Sequence, residues 1–514
     1  MATSSPAKAL VAANAINPGL VLSHNFPEVA FSYDERDVAL YALGVGACAA
    51  DAVDERELQL VYHRDEISSI KVLPTFFSLF TLRNGTGYAL DVPGLQYDPN
   101  LILHSQQYIE VYRVIPSRAN VIKKTRVAGL HDRGKTAVLE LESLICLEGS
   151  GEHLCMSRST FYLRGSGGFS DSSQPFSYAT YPANRAHASF PDTTPTAVYE
   201  DHTQKSQALL FGSSTVFYPL HSDPCVAQAS GDVALYALGV GACGRDAVDD
   251  KELHLVYHRD GQPHIKALPT FASLFPNKNS NGLGIVDVPG LNFDASLLLH
   301  GQQYIEIYKP IPSCASVVNN VKVAGLHDKG KATILEIETK THVKDSGEVL
   351  CMNRSTIYLR GAGGFSDSSR PYSYTSYPTN QVSRISIPNS APSALYEDQT
   401  QQSQALLYRL SGDYNPLHSD PTVAQVAGFT RPILHGLCSL GFATRAVIKS
   451  FCNGDPAAVK SIFGRFLLHV YPGETLVTEM WLEGQRVLYQ TKVKERNRAV
   501  LSGYVLLKHT PSSL

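Results

Sequence analysis

The chain repeats itself, and that repeat constrains its architecture more than any other feature. The string DVALYALGVGAC begins at Asp37 and returns at Asp232, 195 positions later. The correspondence continues through LQLVYHRD and LHLVYHRD, ending at Asp65 and Asp260, and through DVPGL at Asp91 and Asp287. It runs on through VAGLHDRGK and VAGLHDKGK (Val127 and Val323) and GGFSDSS (Gly167 and Gly363). At SQALL, which starts at Ser206 and Ser403, the offset has grown only to 197. Solenoid units repeat every 20–50 residues or so, so this period reflects a copied segment of domain size or larger.

The two copies end differently. The second continues from SQALLYRLSGDYNPLHSDPTVAQ to Leu514, whereas the first reads SQALLFGSSTVFYPLHSDPCVAQ and gives way to the next copy at Ser230–Gly231. Copy one therefore stops inside an element that copy two carries through. Stretches rich in Ser, Pro and Thr near 180–200 and 375–395 mark boundaries. The expected domains are 1–180, a truncated remnant at 181–230, 231–380, and a complete C-terminal domain at 385–514.

Composition narrows the class. With 514 residues, 43% of them hydrophobic, the chain can bury several cores, which excludes collagen-like and wholly disordered readings. A net charge of −3 exerts no general pull on nucleic acid or an anionic membrane, and no apolar run is long enough to span a bilayer. Nine cysteines, an odd number without a CxxC pair, suit neither a disulfide scaffold nor a zinc site and are expected as reduced thiols. The first 26 residues carry one Lys and an apolar stretch broken by Asn14, Asn17 and Pro18, which reads as a frayed tail.

The C-terminal segment carries the clearest structural pattern. Asp420-Pro421 is an N-cap and N1 pair for a short helix that Gly428 stops. After Pro432, ILHGLCSLGFATRAVIKSFC is apolar on most faces and predicts a long buried helix. Four strand-like runs follow at 459–470, 475–483, 486–494 and 499–508, with a further strand expected before the helix at 404–410. A long helix wrapped by an antiparallel sheet is an α+β layer.

The chemical candidate is the string Ser411-Gly412-Asp413-Tyr414-Asn415-Pro416-Leu417-His418. In a helix, five residues would turn His418 about 140° away from Asp413. Pro416 and Gly412 instead favour a bent loop that aims both groups into one pocket. There one group can take a proton from a water while the other gives one. Asn415 can orient either. Gly436 sits at the start of the long helix, where free amides suit a developing oxyanion; it also suits close packing against the sheet.

YRLSGDYNPLHSDPTVAQVAGFTRPILHGLCSLG resembles the motif of the MaoC-like (R)-specific enoyl-CoA hydratases, hydratase 2, in which D-x-N-P-x-H is followed by a Pro-Ile-x-His-Gly helix start. The resemblance covers 232–514 as one whole unit and 1–230 as a truncated one. It implies a double hot dog: an N-terminal hot dog that makes room for the acyl tail and a C-terminal one that carries the catalysis. It further implies reversible syn hydration of trans-2-enoyl-CoA to (3R)-hydroxyacyl-CoA in fatty-acid β-oxidation. Asp413 and His418 become the dyad that holds the water, Asn415 the support of the loop, and Gly436 the amide that polarises the thioester carbonyl. Which dyad member removes the water proton stays open.

The resemblance calls for no metal or redox cofactor, CoA being part of the substrate. It implies an acyl-CoA thioester as partner, a second copy of the chain as a homodimer, no nucleic acid and no membrane span. The chain ends Ser512-Ser513-Leu514, a variant of the Ser-Lys-Leu peroxisomal signal that an import receptor would read. In copy one, Val216, Tyr218 and Thr215 stand where copy two has Asp413, Asn415 and Gly412, and only His221 survives. Copy one is therefore expected to be chemically dead, and residues 225–514 alone to fold and act. Two other functions remain open: a hot-dog acyl-CoA thioesterase and a non-catalytic acyl-CoA-binding protein.

Overall fold

The computed structural model describes residues 16–64, 69–81, 90, 92–181, 194–214, 226–228, 230–279, 290–294, 297–377 and 385–511. Residues before 16, His221 and Ser512–Leu514 lie outside them; the rest of the stretch expected as a frayed tail instead forms the helix Pro18–Ser23 and packs Ile16 and Val21 into the core. The chain forms two compact units, one of residues 1–38 and 66–202 and the other of 39–65 and 203–514.

The first unit is built on one antiparallel sheet. Its strands are β1 (Val29–Tyr33), β2 (Ile102–Val111), β3 (Ala119–Asp132), β4 (Thr136–Leu147), β5 (His153–Arg164) and β6 (Ser177–Ala179). Their order is β1-β3-β4-β5-β2, with β6 beside β3. One core gathers Leu130, Leu139, Leu141 and Phe161 with Val21 of a short N-terminal helix. Phe76, Phe77 and Phe80 are also buried, and Phe80 offers its carbonyl to the buried Lys123 ammonium at 3.1 Å. That bond answers the cost of burying a charge. Among the described residues strand β2 pairs only with β5, so it ends the sheet there.

The second unit repeats this plan and completes it. After β7 (Val226–Gln228) come β8 (Leu298–Ile307), β9 (Ala315–Asp328), β10 (Ala332–Val343), β11 (Val349–Arg360) and β12 (Ser373–Thr375). Then follow β13 (Ala394–Gln399), β14 (Val459–Phe466), β15 (Thr475–Glu483), β16 (Arg486–Val493) and β17 (Arg498–Leu507). The sheet runs β12-β9-β10-β11-β8-β14-β17-β16-β15-β13, with β7 on β9. β8, the counterpart of β2, meets β14 antiparallel, Ile305 facing Ile462 and Gln303 facing Gly464, so two hot-dog layers share one sheet. This is the α+β double hot dog that the motif implied.

The long helix spans Gly436–Phe451, and thirteen of its sixteen residues are buried. It lies close to the sheet at Gly464, where a Cβ would stand 2.7 Å from Leu440 Cδ1. Gly441 does the same on another face, against the Val240 side chain at 2.4 Å. The four strands after the helix match the expected runs. The expected strand at 404–410 is instead a helix, Gln404–Arg409, with all six residues buried. An apolar run buried on every side carries no period that separates strand from helix. The strand that edges this half of the sheet is β13, which pairs with β15.

Residues 39–65, which the repeat groups with 66–180, cluster instead with the second unit. Here the helix Glu35–Gly44 ends against the helix Gln207–Ser214, whose Gln207 amide donates to the Leu43 and Gly44 carbonyls. Copy two repeats this joint, with the Gln404 amide donating to the Leu238 and Gly239 carbonyls. Gln207–Ser214 in turn packs on Ser230–Gly239, so the end of copy one is held by the start of copy two. The eight cysteines among the described residues are all free.

Arg445 is the one guanidinium of the long helix and is fully buried. It pairs with Glu252 and with Asp398 of β13, and donates to the Val240 carbonyl at 3.0 Å. The triad ties helix, sheet edge and the 236–256 segment together. Arg445→Met should lower unfolding stability by about 3–5 kcal/mol, because it strands the buried Asp398 and leaves Glu252 with only Lys449 at 3.5 Å and the Cys243 amide. Urea unfolding followed by circular dichroism measures this, and a loss below about 1 kcal/mol would mean that the triad contributes little.

Candidate active site

Asp413, Asn415 and His418 lie on one irregular loop between the helix Gln404–Arg409 and the short helix Pro421–Val426. Gly412 turns the chain with φ of 124°, a conformation that a side chain would strain. Asp413–Asn415 has no helical structure, and Pro416–His418 forms one 3-10 turn. Asn415 caps that turn, its side-chain oxygen accepting from the Leu417 amide at 3.0 Å. Asp420 closes the loop as N-cap of the next helix, accepting from the Thr422 and Val423 amides at 2.7 and 3.2 Å.

Two hydrogen bonds stitch this loop to the start of the long helix. His418 donates through Nδ1 to the Ile433 carbonyl at 2.7 Å. That bond assigns the neutral tautomer in which Nε2 carries the lone pair and can accept a proton. His435, the residue before Gly436, donates through Nε2 to the Asp413 carbonyl at 3.2 Å. The two imidazoles stack, with ring centroids 3.7 Å apart. Neither Asp413 nor His418 bonds directly to the other, although each feels the other's charge. The arrangement leaves both groups able to address a molecule lying between them.

The electrostatics separate the partners from their ordinary values. Burial pushes the Asp413 carboxyl up, against the opposing pull of His418, the Asn415 amide and Arg409. Burial pushes His418 down, against Asp413 and the Ile433 carbonyl. His435 is pushed well down by burial and then by the His418 and Arg409 charges. These shifts bring the proton affinities of the carboxyl and the imidazole toward each other.

Gly436 is the first residue of the long helix, and no side chain caps that end. A Cβ there would stand 3.1 and 3.2 Å from atoms of the Phe466 ring, so glycine keeps this end open. The amides of the first turn are oriented for an anion or a polarised carbonyl. The structure thus brings Asp413, Asn415 and His418 to one loop, with Gly436 next to the residue that bonds to the Asp413 carbonyl. His435 was not singled out from sequence as a site residue, although it stands inside the Pro-Ile-x-His-Gly string. Arg409, nearly buried at the head of the loop, was also missed. Among the described residues no group of His, Cys, Asp and Glu side chains converges as metal ligands.

A family model described as the MFE-2 hydratase 2 N-terminal domain matches twice, at 31–165 and 228–361. A model described as the MaoC like domain matches at 385–503. The chain belongs to the MaoC-like hydratase 2 family. It is 65% identical over 284 residues to "Enoyl-CoA hydratase 2, peroxisomal" of Arabidopsis thaliana, covering 55% of this chain and 91% of that one. It is 41% identical over 268 residues to "Peroxisomal multifunctional enzyme type 2" of Mus musculus; the match takes in 52% of this chain and only 35% of that longer protein. A solved MaoC-like dehydratase from Phytophthora capsici aligns with a TM-score of 0.48 at 34% identity, covering 55% of this chain and 93% of that one.

The half-buried His418 and the buried His435 set an acid limit on stability. Below about pH 6.5 the unfolded chain protonates His418 and His435 while the folded one, with both values lowered, does not. Stability is therefore complete above that pH and falls as the pH drops toward the folded values. The urea midpoint should decline from about pH 7 to pH 5, and His435→Phe should flatten the decline. Asp413 has the opposite sign: its raised value destabilises the fold as the pH climbs past 3.8. Asp413→Asn should therefore raise the midpoint at neutral pH, and a lowered midpoint would refute the burial argument.

Proposed function

We propose that the second unit hydrates trans-2-enoyl-CoA reversibly, adding water syn to give the (3R)-hydroxyacyl-CoA in fatty-acid β-oxidation. The observation that carries this reading is the Asp413–His418 loop stitched to an uncapped helix start at Gly436. The names of the Arabidopsis and mouse relatives support it. In this reading the dyad holds one water. Its oxygen bonds to C3, one dyad member takes its proton, and C2 receives a proton from the other. The first-turn amide of Gly436 polarises the thioester carbonyl so that charge moving into it from C2 is stabilised. Asn415 keeps the loop in shape.

The reaction moves only water and protons, so it calls for neither redox cofactor nor metal. Thioester hydrolysis would use the same loop differently, with water attacking the carbonyl. An enoyl-CoA assay that follows both loss of the conjugated double bond and release of free thiol separates the two. Asp413→Asn and His418→Gln should each lower hydration by about 10²–10⁴-fold while leaving the circular dichroism spectrum unchanged. Either folded variant keeping more than about a tenth of the rate would overturn the dyad.

The site of action in this reading is the peroxisome, reached through Ser512-Ser513-Leu514, which follow the last described residue, Pro511. The final ten residues fused to a fluorescent reporter should give puncta like those of a Ser-Lys-Leu control. A diffuse cytosolic reporter would remove the address and leave the chemistry standing.

A further inference from the structure

The catalytic loop is gripped at both ends by a tetrapeptide from the copy that lacks the chemistry. At its far end, Asp420 has a side chain only 1% exposed, and Arg64 approaches it with Nε to Oδ2 at 2.8 Å and Nη2 to Oδ1 at 3.1 Å. Arg64 Nη2 also donates to Thr422 Oγ1 at 2.6 Å, and the Tyr62 hydroxyl donates to Asp420 Oδ2 at 3.0 Å. At its near end, Arg409 lies 5.0 Å from the Tyr414 ring centre and 5.3 Å from that of Tyr62, and its Nη1 reaches the Val61 carbonyl at 3.5 Å. Residues 61–64 thus bracket the segment 409–420 that carries Asp413 and His418.

The same tetrapeptide occurs in copy two as Val256-Tyr257-His258-Arg259, and there it does something else. Tyr257 is 51% exposed, and Arg259, with an 87% exposed side chain, pairs with its neighbour Asp260. In copy one the mirrored contact lacks its near-end partner, although Asp223 keeps the place of Asp420. Gly212 stands where copy two has Arg409, and Val216 where it has Asp413. One copy has kept the grip and lost the chemistry. The other has the chemistry and uses the grip.

We infer that Tyr62 and Arg64 are positioning residues for the reaction at Asp413 and His418, holding the two ends of their loop so that both groups face one water. The inference rests on the hydratase reading above. A bidentate guanidinium–carboxylate contact fixes direction as well as distance, which a lysine's point charge does not. Asp420 stands two residues beyond His418, and Arg409 four before Asp413, so slack at either end moves the dyad. Displacement of about 1 Å in such groups can cost roughly 10²-fold in rate.

The test uses the full chain. Arg64→Ala, and Arg64→Ala with Tyr62→Phe, should lower kcat about 10–100-fold with KM changed less than about twofold and the urea midpoint little changed. Arg64→Lys should recover only part of kcat. Asp420→Asn, which keeps the helix cap, should lower kcat similarly, and combining it with Arg64→Ala should cost little more, since both remove one contact. Hydrogen exchange of the 410–420 amides should quicken in Arg64→Ala. Unchanged kcat, or loss of kcat only in step with unfolding, would overturn the inference. A wild-type chain without hydratase turnover would sink the function itself. The exchange comparison would then decide alone: an unaltered 410–420 rate refutes the grip, and a quickened one retains it.

Discussion

The pairing of β8 with β14 decides what each half of this chain can be. A strand inside a sheet has two edges to satisfy, and β8 satisfies one through β11 and the other through β14. That second pairing makes two hot-dog layers into one sheet and brings the long helix Gly436–Phe451 over it. Copy one has the counterpart strand, β2, but ends before any counterpart of β14. Its sheet therefore stops at β2, where Leu103 is 52% exposed. Copy one thus lacks a counterpart of that strand and of the long helix as well as of Asp413 and Asn415, whose places Val216 and Tyr218 take.

Within the complete half, charge burial is tolerated where every charge has an answer. Arg445 has two carboxylates and a carbonyl; Asp420 has a guanidinium, a phenol and two amides. Asp413 is treated otherwise. Its strongest influence is desolvation, and its carboxylate accepts from the Asn415 amide at a long 3.4 Å. A carboxyl kept short of partners is costly to the fold and available to a substrate water. The fully answered Asp420 holds the far end of the loop, and the half-answered Asp413 sits in its middle.

Much of this was legible in the sequence. The strands β14–β17 show themselves by alternation and by turns such as Pro472-Gly473, and the motif string marks the loop that carries Asp413, Asn415 and His418 and the helix start at Gly436. Gln404–Arg409 was misread because a fully buried apolar run has no polar face to give its period away. β13 was missed because it is a short edge strand with Glu397 and Asp398 in it. His435 was hidden as a helix-start residue until its Nε2 bond to Asp413 placed it. Tyr62 and Arg64 had no local signal at all. Their partner Asp420 lies more than 350 positions along the chain, and sequence spacing carries no information at that range.

The duplication then acquires a physical meaning. Residues 39–65 and 203–214 come from copy one yet belong to the compact unit that holds the candidate site. Copy one meets copy two at the grip of Tyr62 and Arg64, at the Arg431–Asp51 ion pair of 2.9 Å and where the helix Gln207–Ser214 packs on Ser230–Gly239. None of these contacts needs the Asp, the Asn or the long helix that copy one lacks. A chain cut to 225–514 retains every group proposed to touch substrate. It gives up the hold on Asp420, and with it the Val61 carbonyl and Tyr62 ring beside Arg409. The smallest piece that contains the motif is therefore smaller than the piece that holds the motif in shape.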